Sequence, residues 1–380
     1  MRLLTAAGLF IAGLTFVGCQ RPAAPPPAAA PAAVALAPRG ATGVVPHDPD
    51  DPAVWVHPTD PGRSLIIGTD KEAGTGGLFV FGLDGVQRQT TAPLDRPNNV
   101  DVEYGLATAE GPIDVAVVTE RKQHRLRLFR VRADTGTLED LAPAGLPVLE
   151  GATGEAAEPM GVALYRRPTD GAVFAIVAPK TGAASDYLWQ YRLQMVGQAP
   201  TLTLVRRFGA FSGIGPQPGE AGEIEAVVVD DERGFVYYAD ERFGLRKWAA
   251  DPADADAGRE LATFGRDGYL GDREGLAIYR RPDGTGYLVS SDQVAGGTRL
   301  MVYPREGRPG APHDHPLLAV VPTTADETDG LDVVGRPLPG YEGGLLVMMN
   351  STPRNFVLFP WADVAARIAA GLPRPADAPR

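Results

Sequence analysis

The chain has 380 residues, with 36 Lys plus Arg against 47 Asp plus Glu, 46 Gly, 36 Pro and a single Cys. A formal charge of −11 argues against nucleic acid as a partner, and one cysteine rules out a disulfide framework or a thiolate zinc site. High Gly and Pro with short apolar runs point to an all-β architecture.

The first 18 residues read as a secretory signal, Arg2 being followed by an apolar run from Leu3 to Val17 that is too short for a membrane span. Val17-Gly18-Cys19 resembles the end of a bacterial lipobox. Cys19 is therefore the expected point of lipid attachment, with an ordinary signal peptide that discards it as the alternative. Export follows either way, to the cell envelope or beyond. Residues 19–40 form a Pro/Ala-rich linker that has little to bury. Removing residues 1–40 takes three arginines (Arg2, Arg21, Arg39) and no acid from the formal −11, leaving −14. Such a domain repels an anionic substrate unless cations are bound to it.

From there one phrase recurs six times: Asp51-Pro-Ala-Val-Trp-Val56, Asn98-Asn-Val-Asp-Val-Glu103, Met160-Gly-Val-Ala-Leu-Tyr165, Glu225-Ala-Val-Val-Val-Asp230, Glu274-Gly-Leu-Ala-Ile-Tyr279 and Asp329-Gly-Leu-Asp-Val-Val334. The copies start about 56 residues apart on average, the spacing of propeller repeats. After each phrase come two more runs rich in Val, Ile, Tyr and Phe, separated by a polar turn, as strands and hairpins require. The turns are Asp70-Lys71-Glu72, Glu120-Arg121-Lys122, Lys180-Thr181, Asp240-Glu241-Arg242, Asp292-Gln293 and Asn350-Ser351. This predicts a six-bladed β-propeller over residues 41–366 with mostly antiparallel four-stranded blades; two stacked sandwiches are the alternative. Residues 41–45 are expected to supply the last blade's missing outer strand. A short helix is expected from Trp361, and residues 367–380 form a tail.

In an antiparallel blade the start of the first strand and the end of the second lie at one edge. Ring closure then gathers these ends around a single mouth. The first positions bring Asp51, Asn98, Glu225, Glu274 and Asp329, with Asp50 and Glu327 nearby; the turns bring Lys71, Arg121, Lys180, Asp240, Glu241 and Asp292. Asp101 and Asp332 sit inside apolar strands, where a carboxylate is costly unless paired or coordinated. Carboxylates and amides are the oxygen donors that Ca²⁺ favours. Lys71, Arg121 and Lys180 occupy corresponding turns in three consecutive repeats, which suits a phosphate gripped by cations beside bound metal. Walker A, Gly-x-Ser-x-Gly and His-Glu-x-x-His motifs are missing, so water rather than a covalent nucleophile is the expected attacker. His313 and His315 lie in a Pro-rich loop and are expected to be solvated.

Asp50-Asp-Pro-Ala-Val-Trp-Val-His-Pro58, Gly68-Thr-Asp-Lys71, Pro97-Asn-Asn-Val-Asp101, Gly271-Asp-Arg-Glu-Gly-Leu-Ala-Ile-Tyr279 and Asp326-Glu-Thr-Asp-Gly-Leu-Asp332 resemble the bacterial β-propeller phytases, as does the closing run Asn355–Trp361. The resemblance spans about residues 44–366. It implies a calcium-dependent enzyme, expected to be monomeric, that hydrolyses phytate or calcium-phytate to lower inositol phosphates. It also implies that Lys71, Arg121 and Lys180 contact phosphate and that Glu225, Glu241, Glu274 and Asp329 belong to the metal sites. Asp50, Asp51, Asn98, Asn99, Asp101, Asp326, Glu327 and Asn355 are further candidate metal ligands. Better-known members carry Tyr where this chain has Met160, and Lys-Glu where it has Lys180-Thr181. A calcium-dependent propeller lactonase or esterase, and a non-catalytic envelope scaffold, remain as alternatives.

Overall fold

In the computed structural model, which describes residues 34–370, the middle strands explain the architecture. Leu65–Asp70, Val173–Pro179 and Leu345–Asn350 are buried at every position. A strand buried on both faces reads as an unbroken apolar run rather than an alternating one. Six four-stranded antiparallel blades result, blade I being Pro49–Trp55, Leu65–Asp70, Gly77–Gly82 and Gln87–Thr90 in that order. Blade II completes its outer edge with two short pieces, Thr137–Asp140 and Leu146–Pro147. The expected export signal, Cys19 and residues 371–380 lie outside the described residues.

The innermost strands are Pro49–Trp55, Pro97–Leu106, Pro159–Arg166, Val227–Asp230, Leu276–Arg280 and Leu331–Val334, and each touches the next around a closed ring. The apolar core is divided among the interblade spaces. One cluster joins Ala53 and Ile67 of blade I to Val100 and Val118 of blade II, and another joins Leu276 and Met301 of blade V to Tyr237 and Leu245 of blade IV.

Close approach at the ring explains the glycine in the repeated phrase. A Cβ on Gly161 would lie 2.2 Å from the Glu225 carbonyl, and one on Gly275 would lie 2.8 Å from the Asp329 carbonyl. Each glycine thus lets the next blade's first residue reach the same mouth.

The ring is closed by the N-terminal segment. Gly40–Ala41 pairs antiparallel with Asn355–Pro360, Gly40 facing Leu358 and Ala41 facing Val357. The Arg39, Thr42 and Val45 N–H groups extend this pairing with bonds of 2.9, 2.8 and 2.7 Å to the carbonyls of Leu358, Phe356 and Arg354. The domain also begins earlier than the composition indicates, because Leu36 is buried in the cluster between blades V and VI and bonds to Pro322 and Thr324. That cluster includes Trp361, first residue of the helix Trp361–Ala369, whose ring stacks on Tyr279 at 4.0 Å. At about 0.5–1.5 kcal/mol net per hydrogen bond, a chain lacking residues 1–45 is expected to lose about 3–5 kcal/mol in urea unfolding. An unchanged midpoint would show that the ring does not depend on this strand.

Candidate active site

Strand pairing fixes which residues are equivalent at the mouth. Pro52, Val100, Val162, Val227, Leu276 and Leu331 each face the residue two before the end of the middle strand. Two positions earlier stand Asp50, Asn98, Met160, Glu225, Glu274 and Asp329. The first repeat therefore leads with Asp50 and not Asp51, Pro49, Pro97 and Pro159 opening blades I to III in the same register. One residue past each middle strand stand Lys71, Arg121, Lys180, Glu241, Gln293 and Ser351. Their N–H groups bond to the carbonyls of Asp48, Arg96, Glu158, Glu223, Asp272 and Asp326, at 2.8 to 3.4 Å. Leading and turn residues thus form two concentric rings.

Side chains link these rings. Lys71 Nζ lies 2.9 Å from Asp50 Oδ1 and 2.6 Å from Asp329 Oδ2, while Gln293 Nε2 donates to Asp329 Oδ1. Arg121 donates to Asn98 Oδ1 at 3.0 Å and to Glu158 Oε2 at 3.2 Å, and Lys122 shares Glu158. Lys180 sits 3.0 Å from Glu155 and 3.6 Å from Glu223. Beside it a cleft of about 450 Å³ is lined by Lys180, Thr181, Glu223, Glu225, Glu241 and Glu274, among others. The mouth is cationic at the turns of blades I to III and carries Glu241, Gln293 and Ser351 at those of blades IV to VI.

The carboxylates crowd one another. Burial, then the Asp50 charge, pushes Glu225 up to about 7, with Lys71 pulling the other way. Burial followed by Glu225 and Glu223 raises Glu241, and burial followed by Glu241 and Glu225 raises Glu274. Asp329 is raised by burial despite Lys71. Burial works against the Lys71 ammonium too, but Asp50, Asp329 and Glu225 outweigh it and hold it well above the usual lysine range. The arrangement carries more negative charge than its own cations neutralise.

The structure separates the mouth residues from neighbours that only resemble them. Asp240 and Asp292, expected at the mouth, end their middle strands and point to the other side. Asp240 accepts from Ser212 N at 2.8 Å, and Asp292 accepts from the Leu270 and Gly271 N–H groups at 2.9 and 2.8 Å. Asp70, Glu120 and Asn350 fasten the incoming loops of their blades in the same way. Asp51, Asp101 and Asp332 stitch neighbouring blades, accepting from the backbone N–H groups of Val100, Leu164 and Val54 at 3.0, 2.7 and 2.7 Å. These bonds give the half-buried carboxylates of Asp101 and Asp332 backbone partners. Asp51 and Asp101 also line a narrow central channel of about 50 Å³, together with Asn99 and Glu274.

Asn99 accepts from Asn98 Nδ2 at 2.9 Å. Asp326 ties loops through Gly296 and Thr352, Asn355 accepts from Asn350 Nδ2 at 3.0 Å, and exposed Glu327 has a left-handed backbone (φ 41°). Met160 is fully buried, so blade III presents no polar leading side chain. His315 is buried rather than solvated, its ring nitrogens 2.7 Å from the Pro304 carbonyl and 3.1 Å from Lys247 Nζ. Gln293, Glu158, Glu223 and Asp272 escaped sequence reading, although a count of two residues before each leading position finds the last three.

The donor set suits a hard cation. Asp50, Glu225, Glu241, Glu274 and Asp329 offer oxygen only, and Asp50 Oδ2 is buried with no hydrogen-bond partner. Among the described residues no three His, Cys, Asp or Glu side chains converge as a finished cage. The acids surround the mouth instead of meeting at one point.

Residues 27–355 match the family model described as Phytase. A 3-phytase from Bacillus subtilis (strain 168) is 29% identical over 333 residues, covering 84% of this chain and 81% of the relative. Among solved structures, a provisionally named 6-phosphogluconolactonase from Bacteroides uniformis aligns with a TM-score of 0.50 at 16% identity, over 81% of this chain and 85% of that one. At that identity the likeness concerns the fold alone.

Asp332 gives the stitches a measurable signature. Burial raises its carboxyl from 3.8 to about 6, with the Val54 and Val333 N–H groups opposing. The native state therefore binds this proton more tightly than the unfolded chain. Its stabilising effect is complete below pH 3.8 and is lost as pH rises through about 6. Asp332→Asn should lose stability relative to wild type at pH 4 and recover part of that deficit by pH 7 in urea unfolding. A deficit independent of pH would contradict the shift.

Proposed function

The chain belongs to the phytase family, and from that premise we propose that the mouth is where it hydrolyses phytate. In this reading Lys71, Arg121 and Lys180 hold phosphate oxygens, and Asp50, Glu225, Glu241, Glu274 and Asp329 hold calcium. The observation that carries it is the placement of three cations at one turn position in blades I to III, facing carboxylates that raise one another's pKa.

The chain's own residues prepare for phosphoryl transfer. Asp50 and Asn98, from the same blades as Lys71 and Arg121, orient their ammonium and guanidinium groups at 2.9 and 3.0 Å. A phosphate entering between them exchanges one carboxylate contact on each cation for its own oxygens and leaves the orienting contact in place. Charge that spreads over the equatorial oxygens during in-line displacement meets donors already aimed at it. Calcium, when bound, supplies the positive charge the acidic mouth lacks and polarises phosphate toward attack by water.

The decisive assay is phosphate release from phytate by the purified protein, with Ca²⁺ and with excess chelator. Release should require Ca²⁺, Lys71→Ala should lower kcat about 10²–10³-fold, and Glu274→Gln should raise the Ca²⁺ concentration for half activity. Full turnover in chelator would end the calcium reading. The proposal extends to export as an envelope lipoprotein, supported by the apolar run ahead of Cys19. Cys19→Ser should move the protein from the detergent phase to the aqueous phase in Triton X-114 partitioning, and an unchanged distribution would refute lipid attachment.

A further inference from the structure

We propose that the connection between blades III and IV is a flap that packs on the carbon ring of the substrate and so selects a cyclic polyol phosphate. This rests on the phytase reading and adds a recognition element to it. Five of the six connections from a blade's outer edge to the next inner strand are short: residues 42–48, 91–96, 148–158, 265–275 and 323–330. The sixth, residues 211–226, is the longest and has no helix or strand of its own. Connections of this kind are uncommon in compact domains, and lids and binding loops account for many of them. Its feet are fixed. Phe211 and Ile224 are buried in the apolar cluster between blades III and IV, and the Phe211 ring lies 4.2 Å from that of Tyr187. The fully buried Asp240 accepts from Ser212 N at 2.8 Å and from Ser212 Oγ at 2.6 Å.

Between these anchors the chain doubles back on itself. The Gly222 N–H lies 3.5 Å from the Gly213 carbonyl. A Cβ on Gly222 would stand 2.1 Å from the Ile214 carbonyl, and one on Gly215 would stand 2.4 Å from the Glu220 carbonyl. The two passes therefore touch with no room for a side chain between them. Packing does not account for the outer part, because Ile214 is 49% exposed and residues 216–221 are all exposed. What that part does reach is the cleft of about 450 Å³ beside Lys180, lined on this side by Pro216, Glu220, Ala221 and Gly222. Among the described residues that line the cleft, Pro216 and Ala221 alone carry wholly hydrocarbon side chains; the others are Lys180, Thr181, carboxylates and one glycine. Charged walls hold phosphates on any scaffold. A cyclic polyol differs from an acyclic phosphate ester in presenting a continuous face of ring C–H groups, which gains from leaving water only against apolar surface. The flap supplies that surface.

Steady-state kinetics on phytate in Ca²⁺, and calorimetric binding of myo-inositol hexakissulfate, which is not turned over, test this. Because Gly213 and Gly222 already face each other, an Asn-Gly turn can replace residues 214–221. The shortened flap should raise KM for phytate and weaken hexakissulfate binding about tenfold. Both kcat and the inhibition constant of inorganic phosphate, which has no ring, should stay unchanged. The double variant Pro216→Ser, Ala221→Ser keeps the backbone length and should lose about threefold in the same two measurements. It decides the matter if the shortened protein does not fold. Unchanged KM and sulfate affinity in the double variant would overturn the proposal. So would an equal weakening of inorganic phosphate, which would place the effect on the phosphate-holding cations and not on the ring. A wild-type protein inert toward phytate would overturn the phytase reading with it, whereas active wild type with an indifferent double variant overturns this proposal alone.

Discussion

The first residue past each middle strand donates its backbone N–H to a carbonyl just ahead of the leading residue, in all six blades. Geometry at the mouth follows from that bond. It clamps the turn against the start of the inner strand, so Lys71 meets Asp50 and Arg121 meets Asn98 within the same blade. Blade VI keeps the bond across one extra residue and accommodates it with the left-handed backbone of Glu327. Because the clamp is made by backbone, side chains at both positions are free to vary. Six sequence-divergent repeats can therefore present Asp, Asn, Met and Glu from one scaffold position.

That freedom is used to concentrate charge, which the fold must offset. Among the described residues Lys71 is the only turn cation paired directly with leading carboxylates, and it bridges blades I and VI. Arg121 and Lys180 are instead held by Glu158, Glu155 and Glu223, outside the leading ring. Glu225, Glu241 and Glu274 consequently face one another without a cation of their own. Their raised proton affinities are the cost of gathering them in partial burial. A site of this kind is stable when protonated or when occupied by cations, and a domain of −14 needs such cations before it can attract a polyanion.

The blades, their number, the closing strand and most of the mouth were legible because a strand's apolar run and its bounding turn are local signals. Errors came wherever a single residue decides the outcome. Successive residues on a strand face opposite ways, so a slip of one exchanges mouth for scaffold. Asp240 and Glu241 are adjacent and both acidic, yet one fastens a loop and the other lines the cleft. Asp50 and Asp51 differ in the same way, and only the pairing of Pro52 with Gly68 tells them apart. Asp101 and Asp332 were recognisable as carboxylates in need of partners. Their partners are N–H groups of other blades, more than 60 and 270 residues distant in sequence (63 and 278), which no local pattern reveals. Leu36 was hidden for a simpler reason: one leucine in a Pro/Ala tract carries no periodicity, although it is buried against blades V and VI.

The departures at blade III fit this charge distribution. Met160 withdraws its side chain into the core and Thr181 adds no charge beside Lys180, so blade III contributes a single cation already engaged by two glutamates. Blade II, by contrast, carries Arg96, Arg121 and Lys122 within one rim segment. Lys71 adjoins them from blade I, and all four lie across the mouth from Glu241 and Glu274. The centre of positive charge therefore sits over blades I and II rather than being spread evenly over I to III. Coulombic attraction falls off steeply with distance once water screens it, so a polyanion is drawn to that side first. Its more distant groups are left over the acidic half, where only bound cations can make contact favourable. If phytate binds at the mouth as proposed, the asymmetry of the rim sets its orientation, and the six-fold scaffold beneath contributes position without preference.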